Sequence, residues 1–317
     1  VKTGGTLGTG GRNGAFRNCS SLKTVRFEYG TTEIATYLFA HCDGLENIIF
    51  PETVTTINEK AFYDCPAITE LNLPNSMKKI GIGAFANCIN LEKLIVPDNV
   101  THILGEAFSG CIGLTEVKLS KNQESVLNNA FYNCDQLTEI FIPKTMKSGG
   151  SLGTGDRNGA FRDCSNLETI IFEEGIKEIP EYLFANCDGL KDIEIPDTVT
   201  IIGDHTFFNC KNLYYIKLSK NLEKIYSYAF AGAIELETIQ LPATLKHIGT
   251  YGFFNCDALT EINIPDAVTT LDKNAFDNCD ELEKVVLGTG ITKIPSYCFK
   301  KCISLESIDL PYYVKEI

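Results

Sequence analysis

The sequence contains no tryptophan, only two methionines and only four histidines among its 317 residues. The histidines are too few and too scattered to indicate a metal cluster. No HExxH, CxxC or GxxxxGK[ST] motif occurs, which disfavours a zinc site and a phosphate-binding loop. Recurring surface carboxylates are explained by a solvated repeat face, so we do not expect enzymatic activity in this segment.

Basic residues are also scarce. The chain carries 28 Lys and Arg against 41 Asp and Glu, a formal net charge of −13. Nucleic-acid binding relies on Lys and Arg that neutralise phosphates, so nucleic acid is disfavoured as a partner. No apolar run approaches the roughly 18 residues of a membrane span, so no membrane insertion is expected. The chain begins inside a motif, and any targeting segment is therefore expected to lie outside it.

The dominant feature of the sequence is a repeat. A phenylalanine recurs every 23 residues, with one interval of 30 between Phe131 and Phe161. The members of this column are Phe16, Phe39, Phe62, Phe85, Phe108, Phe131, Phe161, Phe184, Phe207, Phe230, Phe253, Phe276 and Phe299. Thirteen positions define thirteen repeat units, and a period of this length is the signature of a solenoid.

The repeat unit reads AFxxCxxLxxIxLPxxVxxIgxx. Its IxL segment alternates with period 2 and predicts a short strand, closed by a proline that cannot donate to a ladder. The unit is too short for a strand, a long helix and a return, so we predict a coil of strand, turn, short extended or 3₁₀ piece, and turn. No single coil buries its own apolar columns, so the coils must stack on a parallel sheet. We predict one solenoid over residues 1–317, although length alone suggests two domains.

This unit resembles the BspA-like (Treponema-type) leucine-rich repeats of bacterial and protozoan surface proteins, over essentially the whole chain. The resemblance implies a right-handed leucine-rich-repeat solenoid with a concave parallel β-sheet and few or no long helices. It also implies cell-surface or secreted placement and adhesion to host proteins or other microbes. No cofactor is implied.

Twelve of the thirteen cysteines lie three residues after a repeat phenylalanine, and Ala233 is the exception in that column. On stacked coils, successive members lie about 5 Å apart and face the core. An unbroken ladder cannot pair every neighbour with good disulfide geometry, and buried free cysteine packs as a small hydrophobe. We predict reduced packing columns, such as Phe85 with Cys88 and Phe184 with Cys187, with disulfides or metal binding as the alternatives.

The residue before the cysteine is most often Asn, with Asp or Gly as replacements. These residue types share a tolerance for left-handed and tight-turn backbone. The column therefore predicts a turn rather than a row of ligand amides.

A glycine-rich stretch occurs twice, as TGGTLGTGGRNGAFRNC and as SGGSLGTGDRNGAFRDC. The copies are identical at 14 of the 18 positions that end at the cysteine, so a six-coil block, residues 1–145, is duplicated from residue 146 on. A calcium loop is disfavoured because Asp156 of the second copy is Gly11 in the first. We interpret residues 147–156 as an insertion that bulges outward, with glycine permitting its tight turns.

Candidate partner-binding residues lie on the outward side of the predicted strands. The position after the central strand residue is polar in most coils, whereas Ile95, Phe141 and Ile171 are apolar and are expected to be exposed. Contiguous exposed apolar patches often mark interaction sites, although neighbouring side chains or a missing domain would also cover them. Tyr214 and Tyr215 add aromatic anchors near another strand.

A tyrosine column lies two residues before the repeat phenylalanine. Its members are Tyr37, Tyr182, Tyr228, Tyr251 and Tyr297. Such a stripe either stacks on sugar rings or forms a partly buried packing column, and we favour packing.

These patterns favour a non-catalytic cell-surface or secreted scaffold for protein binding or adhesion. Candidate partners are host extracellular-matrix or surface proteins, other microbes and glycans. The alternatives are a passive stalk that presents a missing effector domain and a glycan-binding module of a larger surface enzyme.

Overall fold

The computed structural model describes residues 14–150 and 159–317. The chain divides into two compact units, unit 1 (Val1–Leu167) and unit 2 (Glu168–Ile317). Both are parallel β-solenoids, with about 11 coils in all, and the described residues contain no helix. The predicted leucine-rich-repeat solenoid of short strands and turns is confirmed, whereas a single solenoid over the whole chain stays a prediction.

Each coil contributes a main strand from its IxL segment. In unit 1 these strands are β1 (Thr24–Arg26), β3 (Asn47–Ile49), β5 (Glu70–Leu71), β7 (Lys93–Ile95), β9 (Glu116–Lys118) and β11 (Glu139–Ile142). In unit 2 they are β12 (Thr169–Phe172), β14 (Asp192–Glu194), β16 (Tyr215–Lys217), β19 (Glu261–Asn263) and β21 (Lys284–Val286). Partners stand 23 residues apart in parallel register, as in the pairing of Leu94 with Leu71 and Val117.

A second parallel sheet closes each unit on the return side of the coils. In unit 1 it contains β2 (Glu33–Ile34), β4 (Thr56–Ile57), β6 (Lys79–Ile80), β8 (His102–Ile103) and β10 (Ser125–Val126). In unit 2 it contains β13 (Glu178–Ile179), β15 (Ile201–Ile202), β17 (Lys224–Ile225), β18 (His247–Ile248) and β20 (Thr270–Leu271). These two-residue strands are the short extended pieces that the repeat length allows.

The proline after the main strand marks the turn between the two sheets. Its carbonyl accepts a hydrogen bond from the backbone three residues later, as from Val54 to Pro51 at 3.1 Å and from Val100 to Pro97 at 2.9 Å. Because proline has no N–H, the main-strand ladder stops there. The same residue therefore ends the strand and begins the turn.

The repeat phenylalanines form a stacked column in the core of each unit. Ring centroids on neighbouring coils lie 5.1 to 5.5 Å apart in unit 1 and 5.2 to 5.7 Å apart in unit 2. The rings are nearly parallel, and centroid separations of this size are typical of offset stacking rather than of a face-to-face sandwich. Offset aromatic pairs contribute about 0.5–1.5 kcal/mol beyond the burial of their area.

The cysteine column is a hydrogen-bonded ladder. All thirteen cysteines are free, and the thiol of one coil donates to the phenylalanine carbonyl of the preceding coil, as from Cys111 Sγ to Phe85 O at 3.2 Å. The same carbonyl accepts the backbone N–H of Cys88 at 3.2 Å. Cysteine therefore combines the packing of a small apolar side chain with a weak donor aimed at a buried acceptor.

The residue before each cysteine has left-handed backbone in every repeat, with φ between 57° and 78°. This confirms the turn predicted from the Asn, Asp and Gly of that column. The amide side chains also bond between coils, as from Asn209 Nδ2 to Asn186 Oδ1 at 2.8 Å.

A second left-handed column was not predicted. It lies two residues before the phenylalanine, where eleven residues between Tyr37 and Tyr297 have φ between 51° and 61°. Its members include Tyr, Lys, His and Glu, for which left-handed backbone is uncommon and costs about 1–2 kcal/mol per residue. The tyrosine column of the sequence thus occupies the turn that leads into the phenylalanine.

Coil stacking continues across the longer repeat in unit 1. Phe131 and Phe161 stack at 5.1 Å, and Phe131 N donates to Ala160 O at 2.8 Å. The seven extra residues therefore leave the core register unchanged. Most of the insertion, and the glycine stretch near the start of the chain, lie outside the described residues. Within residues 14–150 and 159–317, no helical segment has the length and apolar character of a membrane span.

Replacing Phe85 with Ala is expected to destabilise the protein by about 3–5 kcal/mol, because a fully buried ring between Phe62 and Phe108 leaves a cavity. The measurement is the midpoint of urea unfolding followed by circular dichroism. Ile82→Ala is the control, since Ile82 is 46% exposed and its loss should change stability by less than about 0.5 kcal/mol. Equal midpoints for the two variants would contradict the core assignment.

The cysteines should differ sharply in reactivity. Burial raises the pKa of the Cys111 thiol to about 12, whereas the Cys302 thiol is only half-buried and its pKa is lowered, chiefly by interaction with the neighbouring Cys279 thiol. Because the thiolate is the nucleophile, a short iodoacetamide pulse at pH 8 should alkylate Cys302 well before Cys111. Peptide mass spectrometry measures both sites, and denatured protein, in which both react, is the control. Equal labelling in the native protein would refute the prediction.

Candidate partner-binding surface

The main strands present one side chain inward and its two neighbours outward. In β7, Leu94 is fully buried, whereas Lys93 and Ile95 are exposed. We call the outward side chains of the main strands, and of the residues directly flanking those strands, the outer face, and each unit has its own. This alternation places side chains from successive coils in rows at about the strand spacing of 4.8 Å.

The outer face of unit 1 carries exposed apolar residues on alternate coils. Ile95 is 49% exposed, Phe141 40% and Ile49 37%. The coils between them place Asn72 and Lys118 at the same position of the repeat. Ile49 and Ile95 are thus flanked by polar side chains, and Phe141 follows Lys118, so the surface offers anchors for a partner beside polar groups.

Charges on this surface are paired between coils. Lys93 Nζ lies 2.6 Å from Glu116 Oε2, and Lys23 Nζ lies 2.8 Å from Glu46 Oε1. Exposed pairs of this kind contribute little to stability. Because the charged groups are already paired, the apolar side chains are the outer-face groups whose burial against another molecule would contribute the most free energy of binding.

In unit 2 the outer face carries Tyr214 and Tyr215, which are 47% and 48% exposed. Tyr215 pairs with Asp192 in the strand register, and the Tyr214 hydroxyl lies 3.4 Å from Asp192 Oδ2. Ile171 is 41% exposed. The sequence places Phe141 and Ile171 on consecutive repeats, but the two residues belong to different units, so an adjacency between them stays a prediction.

Several exposed isoleucines were not singled out from the sequence, among them Ile89 and Ile112. Ile89 and Ile112 directly follow Cys88 and Cys111 on neighbouring coils, and each is 40% exposed. They lie in the turn before the main strand rather than on the outer face. The Cys-Ile dipeptides on two neighbouring coils could have indicated this exposed pair, because most coils have a polar residue after the cysteine.

The core residues named from the sequence lie inside the units. Phe85 and Cys88 in unit 1, and Phe184 and Cys187 in unit 2, are fully buried. The tyrosine column is mixed: Tyr182 is buried, Tyr37, Tyr228 and Tyr251 are half-buried, and Tyr297 is 62% exposed.

A shallow polar cleft in unit 1 is lined in part by Ser20, His41 and Asp64. His41 Nδ1 lies 2.8 Å from Asp64 Oδ2, which resembles the base and its orienting acid in a nucleophilic triad. No hydrogen bond joins Ser20 to His41 within residues 14–150, so the step that would activate a nucleophile is missing from this arrangement. Across the described residues, no three His, Cys, Asp or Glu side chains are grouped to hold a metal ion.

Comparison with known families identifies the repeat. The model of the BspA-type leucine-rich repeat region matches residues 12–114, 78–153, 157–257 and 223–317. The chain belongs to this family. Leucine-rich-repeat proteins are typically non-enzymatic scaffolds that bind other proteins.

Solved structures agree with the fold. A leucine-rich repeat protein from Bacteroides ovatus is similar, with 28% identity, a TM-score of 0.67, and coverage of 92% of this chain and 79% of that one. The pneumococcal vaccine antigen PcpA has 22% identity, a TM-score of 0.52, and coverage of 94% and 72%. No curated protein sequence matches this BspA-type chain.

Proposed function

We propose that this chain is a non-catalytic binding scaffold at the cell surface or in the secreted fraction. Its partners are host extracellular-matrix or surface proteins, or proteins of other microbes. The observation that carries the proposal is the row of exposed apolar side chains, Ile49, Ile95 and Phe141, on the outer face of unit 1.

Several features support a protein as the partner. The outer face consists of strand residues fixed by the ladder, so Ile95 and Phe141 are held in place before a partner arrives. Preformed anchors lower the ordering cost of association. The charged pairs beside them supply a polar rim, and the net charge of −13 favours partners with basic surfaces.

The unit 2 outer face is a second part of the same proposal. Tyr214 and Tyr215 are rigid amphipathic side chains of the kind enriched at interface hot spots. With Ile171 they offer unit 2 its own anchors, beside the Lys217–Glu194 ion pair.

The double variant Ile95→Asp with Phe141→Asp should abolish partner binding and leave folding intact, because both side chains point away from the core. The measurement is surface plasmon resonance against a panel of extracellular-matrix proteins and mucins. We expect at least a hundredfold loss of affinity for any saturable partner, as two desolvated anchors become charged.

The matched control is Ile89→Asp with Ile112→Asp. It makes the same chemical change at two isoleucines of similar exposure in the same unit, off the outer face, and should bind like the unmodified chain. Loss of binding in the control alone would move the site to the turn before the main strand. A panel without any saturable partner would favour the passive stalk.

A further inference from the structure

Unit 2 carries a cluster of aromatic side chains away from its outer face. The cluster consists of Tyr182, His205, Phe208, Tyr228, Tyr251 and Phe254. Four of these rings occupy the second left-handed column on successive coils and stack at centroid separations of 4.6 to 4.8 Å. We call these six residues the aromatic cluster, and the four stacked rings its ladder.

The coil fold does not require these rings, as the duplicated block shows. At an offset of 145 residues, unit 1 has Lys60, Gly83, Glu106 and Ser109 where unit 2 has His205, Tyr228, Tyr251 and Phe254. The backbone is the same in both: φ is 57° at Gly83 and 55° at Tyr228, and 59° at Glu106 and 56° at Tyr251. Glycine occupies such backbone without strain, so the aromatic residues are present for their rings.

Phe208 and Phe254 lie across the ladder rather than in it. Phe208 makes an angle of 73° with Tyr228, and Phe254 an angle of 86° with Tyr251. Because the ladder rings stack from coil to coil, the plane of a ring perpendicular to them lies parallel to the stacking direction. Phe208 directly follows a repeat phenylalanine, and the coils on either side have Ala185 and Ala231 at this position. Both alanines are buried, which is expected if the half-buried rings of Phe208 and Phe254 extend over them.

The corresponding rings of unit 1 have a cation over them. Lys60 Nζ lies 5.5 Å from the centroid of Tyr63, the equivalent of Phe208, and the Arg162 guanidinium lies 5.3 Å from the centroid of Tyr132 in the same column. Within the described part of unit 2, no Lys or Arg lies over Phe208 or Phe254 at such a distance. No cation competes for these two half-buried rings in the described part of unit 2, which leaves their exposed surface to another molecule.

Asn209, which directly follows Phe208 in the chain, offers a hydrogen-bond acceptor. The Asn209 amide donates to Asn186, but the next coil has Gly232 in that column, and Asn209 Oδ1 lies 2.9 Å from where a Cβ of Gly232 would be. No donor within the described residues bonds to this oxygen. The amide ladder resumes beyond the gap, from Asn278 Nδ2 to Asn255 Oδ1 at 2.8 Å.

We propose that the aromatic cluster binds an extended, uncharged β-1,4-linked glycan. The coils that carry Phe208 and Phe254 are two strand spacings apart, about 9.6 Å, and alternate sugar rings of such a chain present the same face at about this repeat. Apolar sugar faces would stack on the two phenylalanines, and hydroxyl or acetamido groups would donate to Asn209 Oδ1. A cation ligand is disfavoured, because aromatic rings that bind a cation surround one point, whereas Phe208 and Phe254 follow each other along the stacking direction.

The test measures binding of chitohexaose and cellohexaose to the full chain by isothermal titration calorimetry. The variant combines Tyr228→Gly, Tyr251→Glu and Phe254→Ser, which installs the unit 1 residue at each position and so keeps side chains that these coils accept. We expect saturable binding of at least one oligosaccharide and at least a tenfold loss in the variant. Tyr132→Ala, in the same column of unit 1, and the Ile95→Asp with Phe141→Asp variant should both bind like the unmodified chain.

Absence of saturable binding to both oligosaccharides would overturn the proposal, as would equal affinity in the triple variant. Choline chloride and polylysine serve as cation probes, and binding of these alone would also overturn it. Circular dichroism and the melting temperature report whether the triple variant folds. If it does not, Phe254→Ser alone decides by the same tenfold criterion, since Ser109 stands at the equivalent position of unit 1.

Discussion

Each coil of this protein depends on its neighbours for the hydrogen bonds and contacts that complete its core. The Phe85 carbonyl accepts the N–H of Cys88 from its own coil and the thiol of Cys111 from the next. The ring of Phe85 lies between those of Phe62 and Phe108. These contacts hold only if neighbouring coils stay in the 23-residue register, so every other feature of the fold is built on that register.

The register explains why some features were predictable from the sequence. Phenylalanine, cysteine and the strand residues recur because each coil needs the same inward groups, and their columns predicted the core and the parallel sheet. Asn, Asp and Gly before the cysteine predicted a left-handed turn that is present in every repeat. The second left-handed column was missed because Tyr, Lys and Glu have no turn preference of their own, and its local signals in unit 1 were limited to glycine and asparagine residues such as Gly83 and Asn129.

The candidate sites lie where coils differ, and there the sequence pattern helps less. Residues shared by all coils identify the core, whereas Ile89 and Ile112 depart from a mostly polar position and were not predicted to be exposed. The exposure of Ile95 and Phe141 was predictable because side chains alternate along a strand, a pattern that depends only on neighbouring residues in the sequence. The aromatic cluster required knowledge of ring orientation and of the gap at Gly232, which depend on how three successive coils pack. Duplication of a six-coil block provides a comparison within one chain, because equal backbones carry different side chains.

The direction of the hydrogen bonds between coils has a mechanical consequence. Within each unit, backbone donors such as Phe62 N point to acceptors on the next coil, here Ala84 O at 2.8 Å, and therefore run along the stacking direction. Because the interfaces between coils lie in series along that direction, a pull loads them all equally, and the weakest interface is expected to open before the others. Each opened coil releases 23 residues of chain, which extends the molecule while the remaining coils keep their structure. Such a unit lengthens stepwise under tension and recovers by restacking onto the coils that remain.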